Sequence, residues 1–387
     1  MGKYCEYPWT IKVVKLFEDS NKFCCKVDSL PEVEHRQQLS SVKQAFLNDQ
    51  EHPACSACWN DEKQGGKSFR LLQYPATKNQ IIEFDLKERA GKPNLKIIDV
   101  EFGYTCNMSC ISCGPGYSST WQHLLKFNPW KNSISTEQGL SKLKNLMESN
   151  KQSLQKINLF GGEPSVDPMY YAIADMFDKE TLPRCAIRII TNGNYSENHK
   201  IKFEQSISKF IADKRSIDIT MSLDGAGDNV EFIRGGLSIA RFVKNVHAMV
   251  DFGIRPTVQI SISVLNLENY IEIFELFEKE NLLDKVDFRL NKVSHPWDLS
   301  INILGKHIKE FFPKWPEEKW QDFRKQFEMF VGNQCQNQSM PEKKNLQQVL
   351  SRVDRYISLS GKNCPDYYIA WKKRIEQLIN EEKNVSI

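Results

Sequence analysis

From Asn94 to about residue 295 short β-rich runs alternate with helical stretches, and this alternation restricts the fold more than any other feature of the chain. The strand candidates are Ile97 to Phe102, Ile157 to Phe160, Ala186 to Ile190, Ile217 to Leu223, Pro256 to Val264 and Val286 to Leu290. Helices are expected between them at Thr136 to Ser149, Met169 to Asp178, Ile201 to Ala212, Leu237 to Phe252 and Leu267 to Glu280, with Ser135 or Thr136 able to cap the first. Strands and helices in strict alternation join as parallel neighbours through right-handed crossovers. Six such units predict an α/β fold, a partial (β/α)6 TIM-like barrel rather than the closed barrel of eight. Ligand sites in such sheets lie at the C-terminal ends of the strands.

The flanks read differently. Residues 1 to 94 are irregular, polar and cysteine-bearing, with Gly65-Gly66 and Pro93 as punctuation and one helix at Glu32 to Leu47. Little in this stretch reads as a self-sufficient core, and a bound metal would supply the missing stability. After Pro296 the chain turns helical, with breaks at Pro313, Pro316, Pro341 and Pro365. Trp320, Phe323, Phe327 and Phe330 recur at helical spacing, which predicts a packing stripe in preference to a substrate wall. The expected parts are therefore 1–94, 95–295 and 296–387.

Lys plus Arg is 52 and Asp plus Glu is 49, so the formal charge of +3 argues against nucleic acid or an anionic membrane as partner. No apolar run reaches the ~18 to 20 residues of a membrane span, and MGKYCEYPWT has no apolar secretory core. Glu6 stands where a myristoylation motif needs Ser or Thr. A cytosolic protein is expected. Its 11 cysteines are an odd number, and clustered thiols in a reducing compartment point to metal ligation rather than disulfides. Cys185, Cys335 and Cys364 have no partner at ligand spacing and read as small hydrophobes.

Directly after the first strand the chain reads EFGYTCNMSCISCGPGYSSTW, placing Cys106, Cys110 and Cys113 in C-x-x-x-C-x-x-C. Three thiolates so spaced can wrap one face of an iron-sulfur cube and leave its fourth iron without a protein sulfur. Zinc with a distant fourth ligand is the competing reading, although zinc sites usually take C-x-x-C pairs from two places. The triplet resembles the signature of the radical S-adenosylmethionine (SAM) enzymes. That resemblance implies a 4Fe-4S cluster on Cys106, Cys110 and Cys113 whose open iron is chelated by the amino and carboxylate groups of SAM. One electron then cleaves SAM to methionine and a 5'-deoxyadenosyl radical, which takes hydrogen from a substrate. It also implies a flavodoxin- or ferredoxin-type electron donor. Most members carry an aromatic residue before the third cysteine. Here that residue is Ser112, and the resemblance implies that its backbone groups still serve near the adenine.

The longer string from Cys106 to Trp121, C-N-x-x-C-x-x-C-G-P-x-x-S-S-x-W, resembles the twitch or SPASM subgroup with auxiliary-cluster modules. Further matches follow at successive strand ends. LFGGEPSVDP supplies Gly161, Gly162 and Glu163, and the resemblance implies that this motif holds the SAM amino group. Taken alone it is a turn in which glycine permits close backbone approach. ITNGN and SLDG supply Thr191, Asn192, Ser222 and Asp224, which are turn chemistry singly but would face one ligand together. Arg234, after the fourth strand, is implied to reach the SAM carboxylate, for which a guanidinium fork is suited. Asn266 and Arg289 also fall near strand ends without a derived role.

Cys5, Cys24 or Cys25, and Cys55 with Cys58 could complete a second, fully thiolate-ligated site, with Cys24 the preferred member of its pair. The pattern looks like the auxiliary-cluster module, here preceding the barrel. It would hold a second 4Fe-4S cluster used for electron transfer, with structural zinc as the competitor. The segment VDRYISLSGKNCPDYYIAW looks like the tail beyond the barrel in this subgroup. Substrates in the subgroup are peptides undergoing cross-linking or epimerisation and small sugar-like molecules undergoing dehydrogenation. No side chain stands out as catalytic acid or base. The reading from a different class is a non-enzymatic iron-sulfur or zinc protein that binds nucleic acid or a protein partner.

Overall fold

The computed structural model describes residues 2–63, 67–129, 134–179, 182–213, 215–293, 295–334 and 343–384. Cys335, Pro341 and Gly65-Gly66 lie outside the described residues. Among the described residues there are eight strands: β1 (Ile11–Lys15), β2 (Asn21–Lys22), β3 (Ile97–Glu101), β4 (Lys156–Phe160), β5 (Ala186–Thr191), β6 (Ile217–Ser222), β7 (Thr257–Ile262) and β8 (Asp287–Lys292). They form one open sheet in the order β2-β1-β3-β4-β5-β6-β7-β8. β2 runs antiparallel to β1, while β1, β3, β4 and β5 pair in parallel, as do β6, β7 and β8. This is the α/β partial-barrel class that the alternation predicts, followed by a helical C-terminal region.

Residue contacts divide the chain into two compact units. The first comprises Met1–Thr105, Trp130–Ile190 and Glu197–Asp218, and the second Cys106–Pro129, Thr191–Ser196 and Ile219–Ile387.

In the first unit the expectation of little core before residue 94 is corrected. Tyr7, Trp9, Val13, Phe46, Trp59 and Ile81 are all buried in one apolar cluster. The sequence hides this core because it is assembled from one or two residues on each of several short elements, none with a period of its own. The same dispersal conceals β1, whose five residues pair from Ile11 with Ile97 to Lys15 with Glu101 and so extend the sheet beyond its expected first strand. The helix Thr136–Ser149 is capped by Ser135. The Ser135 side chain accepts from the Gln138 backbone (3.2 Å), and the Gln138 side chain accepts in return from the Ser135 backbone (2.9 Å).

In the second unit the aromatic stripe packs as core. Phe323 stacks on Phe274 (4.3 Å between centroids) and Phe327 on Tyr270 (4.8 Å). The last helix, Asp366–Asn384, is tied down after β7, where Trp371 Nε1 donates to the Val264 carbonyl (3.1 Å) and the Tyr368 hydroxyl to that of Leu265 (3.2 Å). Cys185 is buried, as a lone small hydrophobe should be, and Cys364 is half-buried.

Gly139 lies on the helix Thr136–Ser149, and a methyl group there would run into the Leu16 carbonyl oxygen. Because backbone cannot yield as a flexible side chain does, Gly139→Ala is expected to lower stability by about 2 kcal/mol. Urea denaturation followed by far-UV circular dichroism measures the loss.

Candidate functional site

The triplet loop belongs to the second unit and is held by the hydroxyl-rich segment that follows it. Thr120 Oγ1 donates to the Cys106 carbonyl (2.7 Å), and Ser119 Oγ accepts from the Cys106 backbone N–H (3.1 Å). Ser118 Oγ donates to the Met108 carbonyl (2.6 Å) while accepting from the Trp121 backbone as the cap of the helix Ser119–Leu125. The indole of Trp121 donates to the Cys110 carbonyl (2.9 Å). The S-S-x-W part of the motif is thus the clamp that shapes the cysteine loop. All three cysteines are half-buried. Burial raises the Cys110 thiol and pushes Cys113 up to about 12.

A second strip of backbone braces the loop from its other side. Ser109 N–H donates to the Gly235 carbonyl (2.7 Å) and Ile111 N–H to that of Ile233 (2.8 Å). These two bonds fall on either side of Cys110 and of Arg234, and the two groups lie near enough to interact electrostatically. Arg234 Nη1 pairs with Asp224 Oδ2 at 2.7 Å, the Asp224 side chain being buried and that of Arg234 11% exposed. Burial opposes the guanidinium charge, yet the Asp224 carboxylate and the neighbouring Cys110 and Cys106 sulfurs offset it and leave the pKa raised. The Nε of Arg234 is buried with no partner.

Asn192, just past β5, donates to the side chain of Asn107 (2.8 Å) and lies 4.0 Å from Cys106 Sγ. Asn107 in turn donates to the Asn194 carbonyl (2.9 Å), and Asn194 donates to that of Gly236 (2.7 Å). Thr191 closes β5 and accepts from the Gly193 backbone (3.1 Å), and Ser222 closes β6 half-buried. Ser112 is half-buried in the triplet loop. The structure therefore bonds Asn192 to the triplet loop through Asn107 and beside Cys106, and separately pairs Asp224 with Arg234, whose charge feels the Cys106 and Cys110 sulfurs. Asn107 and Asn194 were not singled out in the sequence, where both sit inside quoted motifs and look like turn residues.

Gly161, Gly162 and Glu163 belong to the first unit. Here the close approach that glycine permits is to backbone. Gly162 N–H donates to the Gly103 carbonyl (2.8 Å) and Glu163 N–H to that of Thr105 (2.7 Å). A methyl on Gly162 would strike Thr105, and Gly161 adopts φ +157° against Gly103. The glycines thus fasten the segment after β4 to the segment after β3. Glu163 is fully buried, and its Oε1 accepts from the Ser165 backbone (3.1 Å).

The N-terminal cysteines, also in the first unit, converge. Cys5, Cys24, Cys55 and Cys58 line one pocket with about 420 Å³ of empty space, whereas Cys25 does not line it. Cys55 ends a 3-10 turn and Cys58 lies one helical turn on, in Ser56–Lys63, so the C-x-x-C pair shares a face. Arg70 delivers Cys5. Its Nη1 donates to the Tyr4 carbonyl (2.7 Å), and its Nε and Nη2 grip Glu62 on the same helix (2.8 and 2.5 Å). Backbone N–H groups of Tyr7, Lys26 and Arg70 donate to the sulfurs of Cys5, Cys24 and Cys58 respectively. Burial pushes the Cys5 and Cys55 thiols up to about 12, so metal loading would release protons.

The donor chemistry at both places is soft sulfur, which suits iron-sulfur clusters or zinc. Among the described residues no three His, Cys, Asp or Glu side chains converge closely enough to hold a single ion. A cluster presents a separate iron to each thiolate, whereas zinc draws its sulfurs to ~2.3 Å from one point. The buried, unpartnered Arg234 Nε beside the triplet also fits a bound carboxylate.

Residues 100–279, just under half of the chain, match the family model described as the Radical SAM superfamily. The match supports a radical SAM enzyme and implies a 4Fe-4S cluster and SAM as its cofactors. A search of the curated proteins finds no match. Among solved structures, native anSMEcpe with bound AdoMet is similar at 13% identity and a TM-score of 0.42, over 62% of this chain and 63% of that one. The chain therefore spans under two thirds of the length of that relative. SuiB of Streptococcus suis bound to its precursor peptide SuiA is similar at 12% identity and a TM-score of 0.39, over 92% of this chain and 70% of that one. Among the described residues no helix is long and apolar enough to cross a membrane.

Two outcomes follow from the geometry. Ser118→Ala removes both a helix cap and the Met108 tether, so it is expected to cost about 1 to 2 kcal/mol in denaturant unfolding and to lower iron retention at the triplet. Arg70→Met leaves the half-buried Glu62 with only its Ser68 hydrogen bond and releases the Tyr4 carbonyl. It is expected to destabilise the fold by about 3 kcal/mol and to empty the N-terminal pocket before the triplet, as read by iron analysis.

Proposed function

We propose that the protein is a radical SAM enzyme that takes hydrogen from a peptide or small-molecule substrate. Cys106, Cys110 and Cys113 hold the 4Fe-4S cluster, and one iron is left for SAM. The observation that carries this reading is the clamped triplet loop with a buried, unsatisfied guanidinium nitrogen beside it. When bound, the cluster and SAM supply a 5'-deoxyadenosyl radical able to abstract hydrogen from carbon. The chain's own residues bind and orient. Arg234 receives the SAM carboxylate, while Glu163, with Gly161 and Gly162 shaping its turn, receives the amino group. Ser112, Thr191, Asn192, Ser222 and Asp224 complete the cofactor site.

We further infer that residues 1–94 are an auxiliary module of the twitch or SPASM kind, preceding the barrel of 95–295 and the helical extension of 296–387. Cys5, Cys24, Cys55 and Cys58 would hold a second 4Fe-4S cluster that passes an electron during turnover. Their common pocket and the N–H donors aimed at three of the four sulfurs support this. The electron for SAM cleavage comes from a flavodoxin- or ferredoxin-type donor. So many thiols kept for metal suit the reducing cytoplasm.

Anaerobic reconstitution with iron and sulfide, followed by SAM and dithionite, is expected to yield 5'-deoxyadenosine. Replacing Cys106, Cys110 and Cys113 together by alanine should abolish it, and the Cys55→Ser, Cys58→Ser pair should remove roughly half the iron. Wild-type protein with full iron and no 5'-deoxyadenosine would overturn the enzyme reading. Zinc bound in the N-terminal pocket would overturn the second cluster.

A further inference from the structure

Both oxygens of the Asp224 carboxylate are engaged inside the protein. Its Oδ2 takes Nη1 of Arg234 at 2.7 Å, and its Oδ1 accepts the Ser261 backbone N–H at 2.9 Å. Its main-chain carbonyl accepts Asn266 Nδ2 at 2.7 Å, and the same Nδ2 group donates to the Ser261 carbonyl at 2.9 Å. Asn266 is itself locked, since its Oδ1 accepts the Ser263 backbone N–H at 2.7 Å. Asp224 is therefore buried and held at both carboxylate oxygens and at its main-chain carbonyl. Arg234 is the reverse: one edge is held by Asp224, while Nε is buried and unpartnered. The backbone on both sides of Arg234 is fixed as well, because the Ile233 and Gly235 carbonyls receive Ile111 and Ser109 on either side of Cys110.

We propose that Asp224 is a positioning residue that acts only through Arg234: it does not touch SAM, but fixes the plane of the guanidinium so that Nε meets a carboxylate beside Cys110. A guanidinium is a flat fork, and gripping one nitrogen of it sets the direction of the others. Asn266 and Ser261 set Asp224 in turn, so the segments after β6 and β7 together aim one cation. The proposal rests on the reading that the triplet cluster leaves an iron for SAM, and it changes the role which that reading gives Asp224.

A double-mutant cycle on reconstituted protein tests it, with SAM affinity measured by anaerobic equilibrium dialysis and iron content and circular dichroism as folding controls. Arg234→Lys keeps the charge but loses the fork and should weaken SAM about tenfold, the scale of one charge-assisted hydrogen bond. Asp224→Asn has one acceptor where two are needed and should weaken SAM by a similar factor with the iron content unchanged. In the Arg234→Lys background Asp224→Asn should add less than about a twofold further loss, because the group it aims is already gone. Asp224→Glu, which keeps the charge but lengthens the arm, should fall between wild type and Asp224→Asn. If the two losses multiply, Asp224 contacts SAM directly and the proposal is overturned. If Arg234→Lys leaves SAM affinity unchanged, the placement of SAM beside Arg234 fails instead, a different result from a multiplicative cycle. Should Asp224→Asn lose iron, the electron paramagnetic resonance of the remaining reduced cluster decides. A shift on adding SAM to Asp224→Asn at saturating SAM, matching that of wild type, supports an aiming role, and no shift overturns it.

Discussion

The candidate site depends on one short stretch of paired backbone. The N–H groups of Ser109 and Ile111 reach the carbonyls of Gly235 and Ile233, and that pairing sets a cysteine against an arginine. Without it, the triplet would be three thiols on a loop with no fixed relation to any charge. With it, the loop presents sulfur on one side of the pairing and a cation on the other, and the hydroxyls of Ser118, Ser119 and Thr120 hold the remaining turns. Backbone and hydroxyl hydrogen bonds suit this task, because their geometry survives the loading of a metal that changes the charge of the thiols they surround.

The N-terminal pocket solves a different problem. Its four cysteines come from three separate places in the first 58 residues, Cys5, Cys24 and the Cys55–Cys58 pair, so no single local turn can gather them. They are gathered by apolar burial around Tyr7, Trp9 and Trp59 and by the Arg70–Glu62 pair, which draws the Tyr4 carbonyl to the helix bearing Cys58. The strand β1 then joins this stretch to β3 in parallel register, so the cysteine-rich segment shares the sheet's own hydrogen bonding. Tyr7 serves both sides. It lines the pocket and donates through its hydroxyl to Asp99 on β3 at 2.8 Å.

Much of this was legible in the sequence. The helices Glu32–Leu47 and Thr136–Ser149 have the predicted ends, and the six strands from β3 to β8 fall within two residues of their expected bounds, because long periodic runs with clear caps carry their own signal. β1 and the N-terminal core were not legible, since β1 lies outside the strand-and-helix alternation and the apolar cluster is spread over many short pieces with no common period. The spacing of Cys106, Cys110 and Cys113 announced their chemistry, but nothing local announced that Asp224 and Arg234 pair with each other. That pairing joins residues ten apart across a helix and is set by Ser261 and Asn266 on a later strand and loop. For the same reason Asn107 and Asn194 passed as turn residues.

The most direct test of the account is whether the triplet cluster has an iron open to SAM. With Cys55 and Cys58 replaced by serine so that the triplet dominates the signal, the reduced protein is examined by electron paramagnetic resonance before and after adding SAM labelled with oxygen-17 in its carboxylate. The account predicts a changed spectrum with broadening or hyperfine coupling from the label, because the carboxylate bonds directly to iron. A spectrum unaltered by SAM, in protein whose triplet is fully loaded with iron, would contradict it.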